Sequence, residues 1–208
     1  VRLFFALWPD QATVRTLSQW AESAHEICGG RVMRPDTLHL TLAFLGDTPP
    51  DGAEALTRAT RERRIAPGVV TLSRFGAFAR PGIVWAGPAD TVAQGQDGGR
   101  GDHDGDGHGK ADHGEDEHRK DDQEGGDREG AARLQEEYRQ LWDWVGPLHR
   151  TKPETHFRPH VTLLRNADTR TLPPAPSAPI VWRYDRYVLV ASTQEDGSNY
   201  RIVAATQA

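Results

Sequence analysis

A four-residue unit occurs twice in this chain, as His39-Leu40-Thr41-Leu42 and His160-Val161-Thr162-Leu163. Imidazole has an unperturbed pKa near 6.5, so one ring can take a proton near neutral pH while another gives one. Two such rings facing one phosphodiester suffice for acid–base cleavage, one acting on the attacking oxygen and one on the leaving oxygen. The threonine hydroxyls can donate hydrogen bonds to non-bridging phosphate oxygens as charge builds there. A single His-x-Thr is weak evidence of this chemistry. Two copies with apolar residues in the same places are stronger.

Both copies fall in alternating stretches that read as strands, about 38–45 and 159–164. Successive side chains along a strand point to opposite faces. His39 and Thr41 therefore share one face, and Leu38, Leu40, Leu42 and Phe44 are expected on the other. His160 and Thr162 share a face opposite Val161 and Leu163. Each strand is thus anchored by its apolar side and presents a histidine and a hydroxyl on the other. The histidines lie 121 residues apart, room for two lobes of similar design.

Around these motifs the pattern predicts a strand at 2–8 and a helix capped by Asp10 and ended by Gly29-Gly30. A thin-striped helix at about 51–65 and strands at about 69–78 and 82–87 come next. A further helix carries Leu134, Tyr138, Leu141, Trp142, Val145 and Leu148 on its core face. A proline-rich connector at 172–179 leads to strands at about 181–191 and 200–206, separated by a turn at Asp196-Gly197. Mixed strands and helices without a steady βαβ alternation favour an α+β fold.

Charge divides the chain into two materials. Of 208 residues, 30 are acidic and 25 basic, giving a net charge of −5. Residues 94–130 hold 11 Gly, 9 Asp, 4 Glu and 4 His, with no aromatic residue and no Val, Ile, Leu or Met. That segment carries −8, leaving +3 on the remainder. It has too little apolar surface to offset its ordering entropy and is expected to be a disordered insertion in one domain. A remainder this weakly basic gives no charge argument for duplex DNA binding. No apolar run approaches a membrane span, and Leu3–Trp8 is too short for a signal-peptide core. The single cysteine, Cys28, excludes a disulfide framework and points to the cytoplasm.

The stretches RLFFAL at 2–7, LHLTLAFLG at 38–46, IVWAG at 83–87 and FRPHVTLLR at 157–165 resemble the two-histidine (2H) phosphoesterases. More narrowly, they resemble the bacterial RNA 2′,3′-cyclic phosphodiesterases, also called 2′–5′ RNA ligases. The resemblance implies a bilobal α+β fold in which two pseudo-symmetric antiparallel sheets flank a central cleft, with helices outside. It implies hydrolysis of RNA 2′,3′-cyclic phosphate ends to 2′-phosphomonoesters without a cofactor or metal. His39 would be the general acid and His160 the general base. It also implies ATP-independent, reversible 2′–5′ joining of RNA ends in the same cleft. The partners expected are RNA with a cyclic end or a small cyclic nucleotide, with no membrane and the chain a monomer. Arg165 is the implied phosphate contact beside Thr41 and Thr162. Strand parity objects, because Arg165 has an odd offset from His160 and should face away unless the strand ends or twists after Leu163.

Other residues are expected to be structural. His25, His149 and His156 read as surface positions, while Phe4, Trp8 and Trp85 read mainly as core with some capacity to stack on a base. Arg31 and Arg34 fit RNA phosphates and a solvated loop equally well. Asp102-x-Asp104-x-Asp106-Gly107 begins like a calcium loop, but His113 stands where glutamate belongs. Alternative functions are a phosphodiesterase for another cyclic or 2′–5′-linked nucleotide, a non-catalytic RNA-binding module, and a metal buffer using the insertion.

Overall fold

The structure is a computed structural model that describes residues 1–89, 117–193 and 199–208, with only the backbone described over 117–128. The calcium-like stretch, with His103, His108 and His113, and the turn at Asp196-Gly197 lie outside the described residues.

The chain opens with strand β1 (Arg2–Leu7), whose apolar run is buried on both faces as its sequence predicts. Leu3, Phe5 and Leu7 enter the main core, whereas Phe4 and Ala6 enter a smaller cluster with Val188 and Val190 on the opposite face. Helix α1 (Gln11–Cys28) follows. The Asp10 carboxylate accepts from the Thr13 N–H at 2.7 Å, and Gly29 closes the helix in a positive-φ conformation. Its buried residues are Thr13, Leu17, Ala21, Ala24 and Cys28, a stripe at helical spacing. At Gly30 a Cβ would lie 2.7 Å from the Arg165 carbonyl oxygen, so only glycine lets the helix end pack this tightly against the second motif strand.

A short strand β2 (Arg31–Val32) and a 3-10 turn at Pro35–Thr37 come before β3 (Leu40–Asp47). Helix α2 (Pro50–Glu62) leads to β4 (Gly68–Leu72), β5 (Arg74–Phe78) and β6 (Ile83–Gly87). Helix α3 (Glu117–Val145) and β7 (Val161–Arg165) follow, then β8 (Ile180–Tyr184), β9 (Val188–Ser192) and β10 (Tyr200–Ala205).

Two expected long strands break in the middle. The stretch at 69–78 divides into β4 and β5, and that at 181–191 into β8 and β9. In each case one half pairs in a two-stranded ribbon, β4 with β8, while the other half joins the main sheet. Helix α3 begins at Glu117, inside the segment expected to be disordered. A helix already nucleated by its packed turns around Leu134 and Tyr138 extends by one hydrogen bond per added residue. The Glu, Gln, Lys and Arg of 117–124 are good helix formers, although Gly125 and Gly126 oppose them. At the other end the helix stops at Val145, and Leu148 is exposed rather than core.

The class is α+β, with antiparallel sheets. The main sheet has eight strands in the order β10-β9-β1-β3-β7-β6-β5, with β2 added to β7. Its two halves, each carrying one motif strand, join through a single residue pair, Leu40 with Val161. That seam sets the two motifs side by side.

Candidate active site

Both histidines stand one residue before a strand, at the mouth of the seam. The Nδ1 of His39 lies 2.7 Å from the Thr37 carbonyl oxygen, and the Nδ1 of His160 lies 2.7 Å from the Arg158 carbonyl oxygen. A carbonyl can only accept, so each Nδ1 carries the hydrogen and donates it. Each ring is therefore pinned in one tautomer by the backbone two residues upstream, and Nε2 is left for chemistry.

All five residues singled out from the sequence, His39, Thr41, His160, Thr162 and Arg165, line one cleft of ≈ 340 Å³. Arg165 reaches it through a β-bulge. Trp85 pairs with Thr162 and Val84 with Leu164, so Leu163 is passed over. Leu163 and Leu164 are consequently both buried, and parity inverts between Thr162 and Arg165. The same irregularity recurs in the first motif strand, where Ala6 pairs with Thr41 and Phe5 with Ala43, passing over Leu42. This overturns the expected placing of Phe44 among the buried leucines. Phe44 faces the cleft and is 48% exposed.

The repeat therefore runs for six residues, His-Leu-Thr-Leu-Ala-Phe against His-Val-Thr-Leu-Leu-Arg, and its last position differs in kind. That parallel was the available signal for Phe44. Arg2, Phe4 and Tyr200 also line the cleft and come from strands without a motif, so nothing local marked Arg2 or Tyr200 as site residues.

The surroundings of the two rings differ. Trp8 stacks on His39 with ring centres 5.5 Å apart, Phe4 tilts against it at 4.9 Å, and Tyr200 meets it edge-on at 5.3 Å. Burial in this cage pushes the His39 pKa down to about 4, and the charges of His160 and Arg165 add to the depression; the Thr37 carbonyl opposes it. His160 meets Phe78 edge-on at 5.1 Å and lies over Trp85 at 6.1 Å. Burial lowers its pKa too, while the Arg158 carbonyl and Glu154 oppose the shift. Trp85 is held beneath His160 by a slot in the sheet, since a Cβ at Gly76 would lie 2.1 Å from its ring.

The Nε of Arg165 is buried with no hydrogen-bond partner among the described residues. A charged donor left this way is costly unless an anion completes it. The other residues weighed take structural places. His149 is half-buried rather than superficial, its Nε2 3.2 Å from the Thr48 hydroxyl. Phe4 and Trp85 are buried, whereas Trp8 keeps a partly open face. His25 and His156 are exposed, and Arg34 pairs with Asp36 at 3.2 Å.

The chain is similar to known proteins in part of its sequence and in its fold. The sequence profile of the family described as LigT like Phosphoesterase matches residues 7–85. An RNA 2′,3′-cyclic phosphodiesterase of Escherichia coli K12 is 33% identical over 86 residues, which are 41% of this chain and 49% of that protein. One from Archaeoglobus fulgidus is 27% identical over 90 residues, 42% of this chain and 51% of that protein. The chain thus spans about half the length of the curated relatives it matches. In three dimensions the likeness runs further. The crystal structure of E. coli LigT complexed with 3′-AMP superposes with a TM-score of 0.68 at 22% identity, covering 99% of this chain and 97% of that one. At that identity the likeness is one of fold. By sequence, residues 7–85 are thus similar to the LigT like Phosphoesterase family, and by fold nearly the whole chain is similar to E. coli LigT.

Proposed function

We propose that the cleft hydrolyses 2′,3′-cyclic phosphate ends of RNA to 2′-phosphomonoesters, using His39 as general acid and His160 as general base. The observation that carries this reading is the pair of imidazoles, each with Nδ1 tied to its own backbone, in one cleft with an unpartnered arginine Nε. The names of the E. coli and A. fulgidus relatives support the substrate class.

Water enters beside His160, whose Nε2 takes one of its protons as the oxygen bonds to phosphorus. The P–O3′ bond breaks, and the Nε2–H of His39 delivers its proton to O3′. The phosphate stays on O2′. Thr41 and Thr162 donate to the non-bridging oxygens and Arg165 adds its guanidinium, so charge growing on those oxygens meets fixed donors. The two imidazoles perform both proton transfers, so the steps call for no metal. With an RNA 5′-hydroxyl in place of water, the same steps form a 2′–5′ bond, and their reversal cleaves it.

A buried His39 with a pKa of about 4 is neutral at pH 7, yet the acid role requires a proton. The incoming phosphodiester anion offsets the positive field of Arg165, which raises the His39 pKa when the substrate is in place. A ring with so low an intrinsic pKa is then a strong acid.

The test is the position of the product phosphate. An oligonucleotide ending in a 2′,3′-cyclic phosphate is incubated with the protein beside 2′–5′ oligoadenylate and a 3′,5′-cyclic nucleotide. Phosphorus NMR should show a 2′-phosphomonoester from the first substrate. A 3′-phosphate product would reverse the assignment of leaving oxygen, and turnover of only the other substrates would replace the substrate class.

A further inference from the structure

The two carbonyls that fix the histidine rings are themselves held in different ways. The Thr37 carbonyl belongs to a 3-10 turn in which the Thr37 N–H and hydroxyl both donate to the Arg34 carbonyl, at 2.9 and 2.7 Å, and Thr37 is buried. The Arg158 carbonyl stands in a stretch, 151–160, that forms neither helix nor strand. From Thr151 to Pro159 that stretch holds one large apolar side chain, Phe157, next in sequence to Arg158. Phe157 stacks face to face on Tyr138 of α3, with ring centres 4.1 Å apart and planes 8° from parallel. The Tyr138 hydroxyl donates to the Glu154 carbonyl at 3.3 Å, so one side chain grips the loop at two points. Tyr138 is itself buried and braced edge-on by Trp142. The Arg158 side chain adds a looser tether, its guanidinium carbon 5.8 Å from the centre of the Phe78 ring.

A carbonyl in an irregular loop holds an imidazole only as firmly as the loop is held. We infer that Tyr138 and Phe157 are positioning residues for His160, their stack fixing the Arg158 carbonyl and, through it, the tautomer that presents Nε2 as the base. Its effect on rate rests on the phosphodiesterase reading; its geometry does not. While Nδ1–H has its acceptor, Nε2 is bare and can take a proton from water. Once the loop swings away, the hydrogen can sit on Nε2 instead, and the ring presents a donor where the reaction needs an acceptor. Tyrosine suits the task because its apolar body stacks while its polar tip bonds the backbone. His39 needs no such clamp, since the turn behind it is closed by its own hydrogen bonds.

The experiment follows the ring nitrogens of both histidines by nitrogen-15 NMR at neutral pH, together with kcat and KM on a 2′,3′-cyclic-ended oligonucleotide. Phe157→Ala and Tyr138→Ala should shift the His160 hydrogen toward Nε2 and leave His39 unchanged. The kcat should fall by up to about 10²-fold, as for a misplaced catalytic group, with KM little altered. Tyr138→Phe keeps the stack and should recover most of the rate and the His160 tautomer. An unmoved His160 tautomer in Phe157→Ala would overturn the assignment, and so would a shifted tautomer with full kcat in an active protein. A change shared equally by both rings would also overturn it, because that marks general loosening of the core. Phe157 is a partly exposed loop residue, so its truncation tests the clamp even where Tyr138→Ala fails to fold. If the wild-type protein turns over no cyclic end, the phosphodiesterase reading falls, and the nitrogen spectra decide the clamp by themselves.

Discussion

The two motif strands share a backbone plan and differ in what surrounds it. Each sets its histidine one residue ahead of the strand, ties Nδ1 to the carbonyl two residues back, and inserts a bulge just after the threonine. Beyond that the halves diverge. The first encloses His39 among Trp8, Phe4 and Tyr200 and ends its repeat in an exposed phenyl ring. The second leaves His160 near charged Arg158 and Glu154 and ends its repeat in Arg165. On the proposed mechanism, the duplicated geometry supplies two proton-transfer groups and their unlike surroundings allow them different work. An acid and a base need unlike environments, because two identical imidazoles would hold their protons equally.

The largest effects should come from what the halves share. Replacing either His39 or His160 with Ala should slow hydrolysis of a 2′,3′-cyclic-ended oligonucleotide by ~10²–10⁴-fold. On the proposed mechanism the rings act on one phosphorus as a unit, so the double variant should lose far less than the product of the single losses. Single-turnover rates on all three variants would show this, and fully multiplicative losses would mean that the rings work independently.

What was legible in the sequence follows the same division. The paired His-Thr units, the helix caps at Asp10 and Gly29 and the apolar stripe of α1 depend on local spacing, and they appear where that spacing puts them. Bulges are invisible to a period of two. Strict alternation sent Phe44 into the core and cast doubt on Arg165, and one extra residue in each strand reverses both. Which half of a long apolar stretch joins which sheet was also beyond local pattern. Ser73 and Asp185-Arg186 are unremarkable in sequence, yet they mark the points where the chain passes from the ribbon to the main sheet. The aromatic cage around His39 draws on β1, its following residue and β10, so only tertiary structure assembles it.

A smaller effect should come from what the second half has alone. Arg165→Ala removes the guanidinium whose Nε has no partner among the described residues, and should lower kcat/KM about 10²-fold. Arg165→Lys keeps the charge but loses the planar fork, so it should recover only part of that. Full recovery with lysine would mean that Arg165 acts through long-range charge rather than through directed hydrogen bonds.

The smallest and most discriminating effect concerns the cage in the first half. The dominant cause of the low His39 pKa is burial, and Trp8 covers one face of the ring. Trp8→Ala should admit water, relieve part of the desolvation and move the His39 pKa upward from about 4 toward its ordinary value of 6.5, by on the order of one unit. The sign follows because desolvation penalises the charged form, so restoring solvent favours the imidazolium. His39 then keeps its proton to higher pH, and the limb of the kcat/KM profile that it governs should shift the same way. His160 has its own neighbours, Phe78 and Trp85, and should titrate nearly as before. Proton NMR titration of the two imidazole Cε1–H signals in the free protein distinguishes the rings directly. If both signals move together in Trp8→Ala, the two halves are electrostatically one site and the contrast between their surroundings carries no functional weight. If only the His39 signal moves while the activity limb stays fixed, the cage sets the pKa of a ring that does not limit the reaction, and the acid role passes to another group.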